Sequence, residues 1–150
     1  MTTALRLTAA DGFSFPAYIA KPAGRPQGAI VVLQEIFGVN AHIRAVADGY
    51  AAHGYPAIAP ATFHRVQPGV ELGYTPEDIS AGVLLKDAVE ALSAPGVLQD
   101  IQATVRYAAQ FGKVGVVGYC WRACRSARCA GLSKGTARRS SGNLQSFARL

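Results

Sequence analysis

The stretch KVGVVGYCW, residues 113–121, decides the fold that this sequence predicts. Its apolar first part is typical of a strand buried in a parallel sheet. Gly118, a tyrosine and Cys120 then predict a sharp turn from that strand into a helix, which raises one side chain above the carboxyl edge of the sheet. A thiol at the beginning of a helix is stabilised as the thiolate. Cys120 is therefore the candidate nucleophile, and the alternative is an unreactive cysteine of the core.

A carboxylate follows an earlier strand of the same kind. Residues 29–33, AIVVL, are a continuous apolar run that predicts a strand covered on both faces, and Glu35 comes two positions after it. The carboxyl ends of parallel strands meet at one edge of a sheet, where α/β proteins place their ligand sites. Glu35 is therefore a candidate base for Cys120. The alternative is an exposed acid in a loop.

The rest of the chain predicts an α/β protein that begins with a β-hairpin. Asp11–Gly12 is a turn between two alternating strands, and Pro16 restricts the second strand to a sheet edge or a bulge. Asn40 is predicted to cap the first helix, and Thr75 followed by a proline marks the beginning of the second. The expected elements are strand 5–8, strand 13–20, strand 29–33, helix 40–53, strand 55–60, helix 75–92, helix 97–111 and strand 113–118.

Three segments resemble the dienelactone hydrolase family, whose members are also called carboxymethylenebutenolidases. They are QEIFGVN at residues 34–40, GYPAIAP at 54–60 and GKVGVVGYCW at 112–121, and their order and separation resemble that family over about residues 5–121. QEIFGVN followed later by Gly-Tyr-Cys is a much more specific signal than an isolated Gly-x-Cys. The resemblance implies an α/β-hydrolase fold that is incomplete: the N-terminal half of the sheet and helices, preceded by the β-hairpin.

The resemblance also implies a chemistry, the hydrolysis of a cyclic enol-lactone ester in the breakdown of aromatic compounds, with no cofactor. By this analogy Cys120 is the nucleophile and Glu35 helps to generate its thiolate. The backbone N–H groups of Ile36 and Trp121 would form the oxyanion hole, and the partner is a small-molecule lactone or ester. Arg65 is a weak candidate for binding a substrate carboxylate, and a solvated loop residue is the simpler interpretation.

The resemblance stops at the residues that complete such a site. In this family the nucleophile is followed along the chain by an Asp and then a His, whereas no His, Asp or Glu follows Cys120 here. His42, His53 and His64 all precede it and are interpreted as helix or loop residues. Arg122 occupies a position where the turn needs a small residue. We therefore expect an impaired or inactive hydrolase, because no imidazole would activate the water that releases the acyl group.

The net charge of +6 comes from the end of the chain. Residues 1–120 hold eight Lys/Arg and nine Asp/Glu, whereas residues 121–150 hold seven Lys/Arg and no acid. The sequence therefore predicts a partial dienelactone hydrolase-like domain over residues 1–121 and a basic tail of no recognisable fold over residues 122–150. We hypothesise that the tail is out of frame or otherwise aberrant. A Gly-rich continuation with a later Asp and His in another reading frame of the coding DNA would support this.

A competing interpretation is a non-catalytic protein whose basic tail binds nucleic acid or an acidic partner through phosphate or carboxylate groups. The tail and the residue before it offer only Trp121 and Phe147 for stacking on bases, and the tail contains no recognisable binding motif. No specific nucleic-acid partner is therefore expected.

The cysteines and the hydropathy bear on three further questions, which are metal binding, cellular compartment and membrane association. Cys120, Cys124 and Cys129 lack the paired C-x-x-C spacing of zinc sites, so no metal is expected. An odd number of cysteines without a secretion signal favours a reduced, cytoplasmic compartment. Without an apolar run of eighteen residues, no membrane association is expected. The oligomeric state is left open.

Overall fold

A five-stranded mixed sheet carries the fold in the computed structural model, which describes residues 2–119 and, from Leu5 onward, their side chains. The strands are β1 (Thr2–Thr8), β2 (Ser14–Ala20), β3 (Ala29–Leu33), β4 (Ala57–Pro60) and β5 (Val114–Gly118). The helices are α1 (Ala41–Ala52), α2 (Pro76–Glu90) and α3 (Leu98–Ala108), and a 3-10 turn (Ala109–Phe111) follows α3. This order of elements confirms the predicted one.

The strand order across the sheet is β1-β2-β4-β3-β5. β1 and β2 form an antiparallel hairpin, and β2 is antiparallel to β4. β3 is parallel to both β4 and β5. The carboxyl ends of β3, β4 and β5 therefore share one edge of the sheet, and the turn between β1 and β2 lies at this edge as well. We call it the carboxyl edge.

The prediction that Pro16 confines β2 to a sheet edge or a bulge is wrong, because β2 lies between β1 and β4. The pairing with β4 covers only residues 17–20 of β2, so the ladder ends just before the proline. The Pro16 carbonyl accepts a hydrogen bond from the Ala61 N–H at 3.0 Å. On an extended strand the nitrogen of a residue faces the same neighbour as its carbonyl. The missing N–H therefore falls beyond the end of this ladder, where its loss is tolerated.

The core lies in two layers, because successive side chains of a strand point to opposite faces of the sheet. One layer joins the sheet to α2 and α3 and includes Phe15, Val31, Leu33, Ile58, Leu85 and Ile101. The other layer joins the sheet to α1 and includes Val32, Ile43, Ala47, Ala57 and Ala59. Since β3 and β4 are covered on both faces, polar groups that follow them collect at the carboxyl edge.

Both predicted helix caps are confirmed. The Asn40 side chain accepts a hydrogen bond from the Ile43 N–H at 3.2 Å and begins α1. At α2, the Thr75 hydroxyl accepts from the Asp78 N–H at 3.2 Å, and the Asp78 carboxylate accepts from the Thr75 N–H at 3.3 Å. This reciprocal arrangement satisfies two N–H groups that a helix start otherwise leaves unpaired.

Candidate active site

Two segments that carry predicted site residues leave the sheet side by side. β3 and β5 pair with Leu33 aligned with Gly118, and neighbouring strands lie about 4.8 Å apart. Glu35 comes two positions after Leu33, as Cys120 comes two positions after Gly118. Cys120 and Trp121 lie outside the described residues. The structure therefore shows the candidate site from the side of β3 and from the segment that leads to Cys120.

The loop that follows β3, residues 34–40, is a tight turn supported by a second segment of backbone; we call it the β3 loop. Within it, the backbones of Glu35 and Gly38 pair with each other. The Leu72 N–H donates a hydrogen bond to the Phe37 carbonyl at 2.8 Å. The Asn40 amide, besides capping α1, donates to the Leu72 carbonyl at 3.2 Å. Contacts between distant segments thus hold the loop at the carboxyl edge.

Two glycines allow other parts of the backbone to approach the β3 loop closely. Gly38 has φ +81°, a left-handed conformation that favours glycine, and a Cβ there would collide with the Val70 carbonyl. Gly82 is buried in α2, where a Cβ would collide with the Ile36 carbonyl. Backbone atoms cannot rotate out of the way as a side chain can, so both contacts require glycine.

Gln34, the first residue of the β3 loop, is 1% exposed and joins two strand ends. Its Oε1 accepts a hydrogen bond from the Thr62 N–H at 3.1 Å, and its Nε2 donates to the Glu35 carbonyl at 3.3 Å. Because the Thr62 N–H requires an acceptor, the orientation of the amide is defined. The sequence analysis assigned this residue no role. The available signal was an amide at the end of an apolar strand, where a polar group needs buried partners.

The structure places Glu35 half-buried at the carboxyl edge. Of the predicted oxyanion-hole donors, the Ile36 N–H lies in the same loop. Within residues 2–119 this N–H donates to no acceptor. An unpaired N–H next to a carboxylate provides one donor for a developing negative charge.

Tyr119 brings the segment before Cys120 against α1. Its ring meets the ring of His42 edge-on, with centroids 6.4 Å apart, and it packs against the core layer of α1. Burial, reinforced by the neighbouring Tyr119, raises the pKa of the Tyr50 phenol well above its usual range. Tyr50 is therefore a neutral packing partner on this side of the site.

The three histidines occupy helix and loop positions. His42 is in the first turn of α1, and His53 ends that helix with a ring nitrogen 2.8 Å from the Gly49 carbonyl. His64 follows β4, with its ring centroid 6.0 Å from that of Phe13. Among these ring contacts of the described residues, only the contact of His42 with Tyr119 places an imidazole against the segment before Cys120.

Arg65 is not the solvated loop residue that the sequence suggested. Its guanidinium binds Asp100 through two hydrogen bonds of 2.8 and 2.7 Å, and Asp11 through two of 2.8 and 3.1 Å. The Arg65 side chain is 13% exposed, and its guanidinium lies 4.3 Å from the centroid of the Phe13 ring. The role of Arg65 in the fold is to join the β1–β2 turn to α3. Its guanidinium donates to carboxylates of the protein. The structure therefore gives no support for a role of Arg65 in binding a substrate carboxylate.

The two carboxylates of this cluster have different environments. Hydrogen bonds from Arg65 lower the pKa of Asp11 from its ordinary 3.8 to about 2. The Asp100 side chain is 1% exposed, and its burial raises the pKa of the carboxyl group although Arg65 opposes this effect. Asp100 lies in the first turn of α3, where the helix dipole favours a negative charge.

The part of the chain that the structure describes shows neither a metal site nor a membrane-spanning helix. Between residues 2 and 119, no three His, Cys, Asp or Glu side chains form a group that could hold a metal ion. None of the helices in that range has the length and hydropathy that a membrane span requires. The basic tail, on which the competing nucleic-acid interpretation rests, lies outside the described residues, and that interpretation stays a prediction.

The strand order, the two helical layers and the turn after β3 define the N-terminal half of an α/β-hydrolase fold. A Klebsiella pneumoniae structure described provisionally as a dienelactone hydrolase matches with a TM-score of 0.59 and 30% identity, over 81% of this chain and 51% of that chain. An esterase of Pyrococcus furiosus matches with a TM-score of 0.57 and 15% identity, over 89% of this chain and 46% of that one, which supports the fold alone.

The chain belongs to the dienelactone hydrolase family, whose profile it matches over residues 15–138. It is 35% identical to a carboxymethylenebutenolidase of Pseudomonas putida over 124 residues, 80% of this chain and 52% of that protein. A Synechocystis relative, provisionally given the same name, is 46% identical over 110 residues, 69% of this chain and 44% of the relative. The chain thus spans about half the length of the curated relatives it matches. The profile match runs past Trp121, and the predicted division of the chain at 121 stays a prediction.

Proposed function

We propose that this chain carries the nucleophile and the oxyanion-hole half of a hydrolase that opens a cyclic enol-lactone, or a related small ester, through Cys120. The observation that supports the proposal most directly is the Ile36 N–H at the carboxyl edge, which donates to no acceptor within residues 2–119. It lies next to the half-buried Glu35, in the loop that follows the strand paired with the one leading to Cys120. Membership of the dienelactone hydrolase family supports the same chemistry.

In the proposed reaction, Glu35 takes the proton of the Cys120 thiol, and the thiolate sulfur attacks the carbonyl carbon of the ester. The carbonyl π electrons move to oxygen, and the backbone N–H groups of Ile36 and Trp121 stabilise that oxyanion. When the carbonyl re-forms, the bond from carbon to the ring oxygen breaks and the enolate leaves. The ring is then open, and its acyl group is bound to Cys120 as a thioester.

We propose that release of the acyl group is the slow step. Water must attack the thioester, and it needs a base, whereas no His, Asp or Glu follows Cys120 in the sequence. We therefore propose a hydrolase that acylates faster than it turns over. No cofactor takes part in either step. A reduced compartment such as the cytoplasm suits the thiolate, and enol-lactones from aromatic breakdown suit the substrate class.

We expect the full chain to release p-nitrophenolate from p-nitrophenyl acetate in a burst that approaches one equivalent per chain, followed by slow turnover. Cys120→Ser should abolish the burst, because a serine hydroxyl is far less acidic than a thiol and the Glu35 carboxylate is too weak a base to activate it. Glu35→Gln should leave the burst amplitude unchanged and slow it by about a hundredfold, the usual size of a general-base effect. Stopped-flow absorbance measures both quantities, and intact-protein mass spectrometry counts the acetyl groups.

Cys124→Ser and Cys129→Ser are the matched controls, since each removes a thiol of the same chain. Both should retain the burst. A burst that survives in Cys120→Ser, or that disappears equally in all three cysteine variants, would remove Cys120 from its proposed role.

A further inference from the structure

Gln34 connects the backbone at the ends of β3 and β4. The side chain is 1% exposed, and its two hydrogen bonds both go to main-chain groups, one to the Thr62 N–H and one to the Glu35 carbonyl. A buried amide with both ends paired has little freedom to rotate, because losing either bond would leave a buried polar group unpaired. The Glu35 carbonyl therefore has a defined direction.

That direction also determines where the next N–H points. The Glu35 carbonyl and the Ile36 N–H belong to one peptide unit, and this unit is trans. In a planar trans peptide, the C=O and the N–H point in opposite directions. A hydrogen bond that holds the Glu35 carbonyl toward Gln34 therefore aims the Ile36 N–H away from it, and within residues 2–119 nothing accepts from that N–H.

The following peptide unit is restrained as well. The Ile36 carbonyl packs against the backbone of α2 at Gly82, where a Cβ would collide with it. Ile36 therefore lies between two peptide units that cannot rotate independently. Its N–H keeps its direction because Gln34, together with the backbone pairing of Glu35 with Gly38, holds the unit on one side, and α2 blocks the unit on the other.

We propose that Gln34 is a positioning residue for the oxyanion hole: through the Glu35 carbonyl it presets the Ile36 N–H toward the reacting carbonyl oxygen. The inference rests on the proposed function, in which Ile36 is an oxyanion donor. Such donors act because their orientation exists before charge develops, and removal of a donor slows catalysis by about a hundredfold or more. Loss of the orienting bond leaves the donor present but misdirected. A fall of about tenfold in the oxyanion contribution is therefore expected.

The test compares an ester with its thionoester, in which sulfur replaces the carbonyl oxygen. A developing sulfur anion is a weak hydrogen-bond acceptor, so the rate ratio of ester to thionoester acylation reports the oxyanion hole and not the thiol. Gln34→Met keeps the length of the side chain and removes both hydrogen bonds. Thr104→Val is the matched control, because Thr104 is also buried and its hydroxyl donates to the Asp100 carbonyl at 2.7 Å, away from the β3 loop.

We expect the ester-to-thionoester ratio to fall about tenfold in Gln34→Met and to stay unchanged in Thr104→Val. Alkylation of Cys120 by iodoacetamide, which forms no oxyanion, should keep its wild-type rate in both. An unchanged ratio, or an equal slowing of ester, thionoester and iodoacetamide reactions, would overturn the role of Gln34. A wild-type chain without a burst would instead contradict the proposed function.

A second measurement needs no catalysis. The coupling constant between the amide and α protons of Ile36 depends on its φ angle, which changes when the Glu35–Ile36 peptide rotates. Gln34→Met should change this coupling in NMR spectra, and Thr104→Val should not. An identical coupling in wild type and Gln34→Met would show that Gln34 does not orient the peptide.

Discussion

Replacement of Gly38 by alanine is expected to lower the free energy of unfolding by about 2 to 4 kcal/mol. Two effects combine. The backbone of Gly38 has φ +81°, and a non-glycine residue in that region costs about 1 kcal/mol or more. The new methyl group would also collide with the Val70 carbonyl, and overpacking of this kind costs about 1 to 3 kcal/mol. Denaturant unfolding of the full chain, followed by far-UV circular dichroism, measures the change.

Gly69→Ala separates the two effects. Gly69 has φ +70° and nothing within 4 Å of an added Cβ, so only the conformational cost of about 1 kcal/mol applies. Gly38→Ala should therefore be the more destabilising of the two by about 1 to 3 kcal/mol. Equal losses in the two variants would mean that the β3 loop does not pack against the backbone at Val70.

The second large effect is expected for Arg65→Met, which should cost about 3 kcal/mol near neutral pH. Methionine preserves much of the apolar stem but leaves Asp100, with 1% of its side chain exposed, without a partner. Breaking a buried ion pair from one side costs about 3 to 5 kcal/mol, and the lower value is appropriate because Arg65 is 13% exposed. The loss should be measured by denaturant unfolding at several pH values.

The pH dependence of the free energy of unfolding tests whether the unpaired Asp100 charge causes the loss of stability in Arg65→Met. Burial raises the pKa of Asp100, so the ionised form is the costly one in the folded state, and protonation relieves that cost as the pH falls. In wild type, the pKa of Asp11 is lowered to about 2, so its ion pair stabilises the fold above pH 3.8 and is lost as the pH falls toward 2. Both effects predict that the difference in free energy of unfolding between wild type and Arg65→Met becomes smaller as the pH falls.

Arg44→Met is the matched control for the loss of an arginine. Arg44 pairs with Glu71 at 2.7 Å, and these side chains are 31% and 57% exposed, so the substitution should cost at most about 1 kcal/mol. Adding Asp100→Asn to Arg65→Met removes the unpaired charge and should restore part of the stability. If the two arginine variants lose the same amount at every pH, the buried Asp100 charge is not the reason.

The order of elements and the placement of Glu35 were predictable because their signals are local. The continuous apolar run of β3 follows from burial on both faces of a parallel sheet, and the caps at Asn40 and Thr75 act within three residues of themselves. Pro16 was misjudged because its effect depends on where the pairing with β4 ends. That end is set by a strand some forty residues away in the sequence.

The sequence by itself determined the family, the strand order along the chain and the position of Glu35 at the end of β3, because hydrophobic periodicity and turn residues act between near neighbours. Only the tertiary structure decided the hydrogen-bond partners of Gln34 and Arg65. Gln34 hydrogen-bonds to Thr62, which lies 28 residues away in the sequence, and Arg65 hydrogen-bonds to Asp100, which lies 35 residues away. The partner of a buried polar group is chosen by which groups the packed core leaves beside it, and no local pattern records that choice.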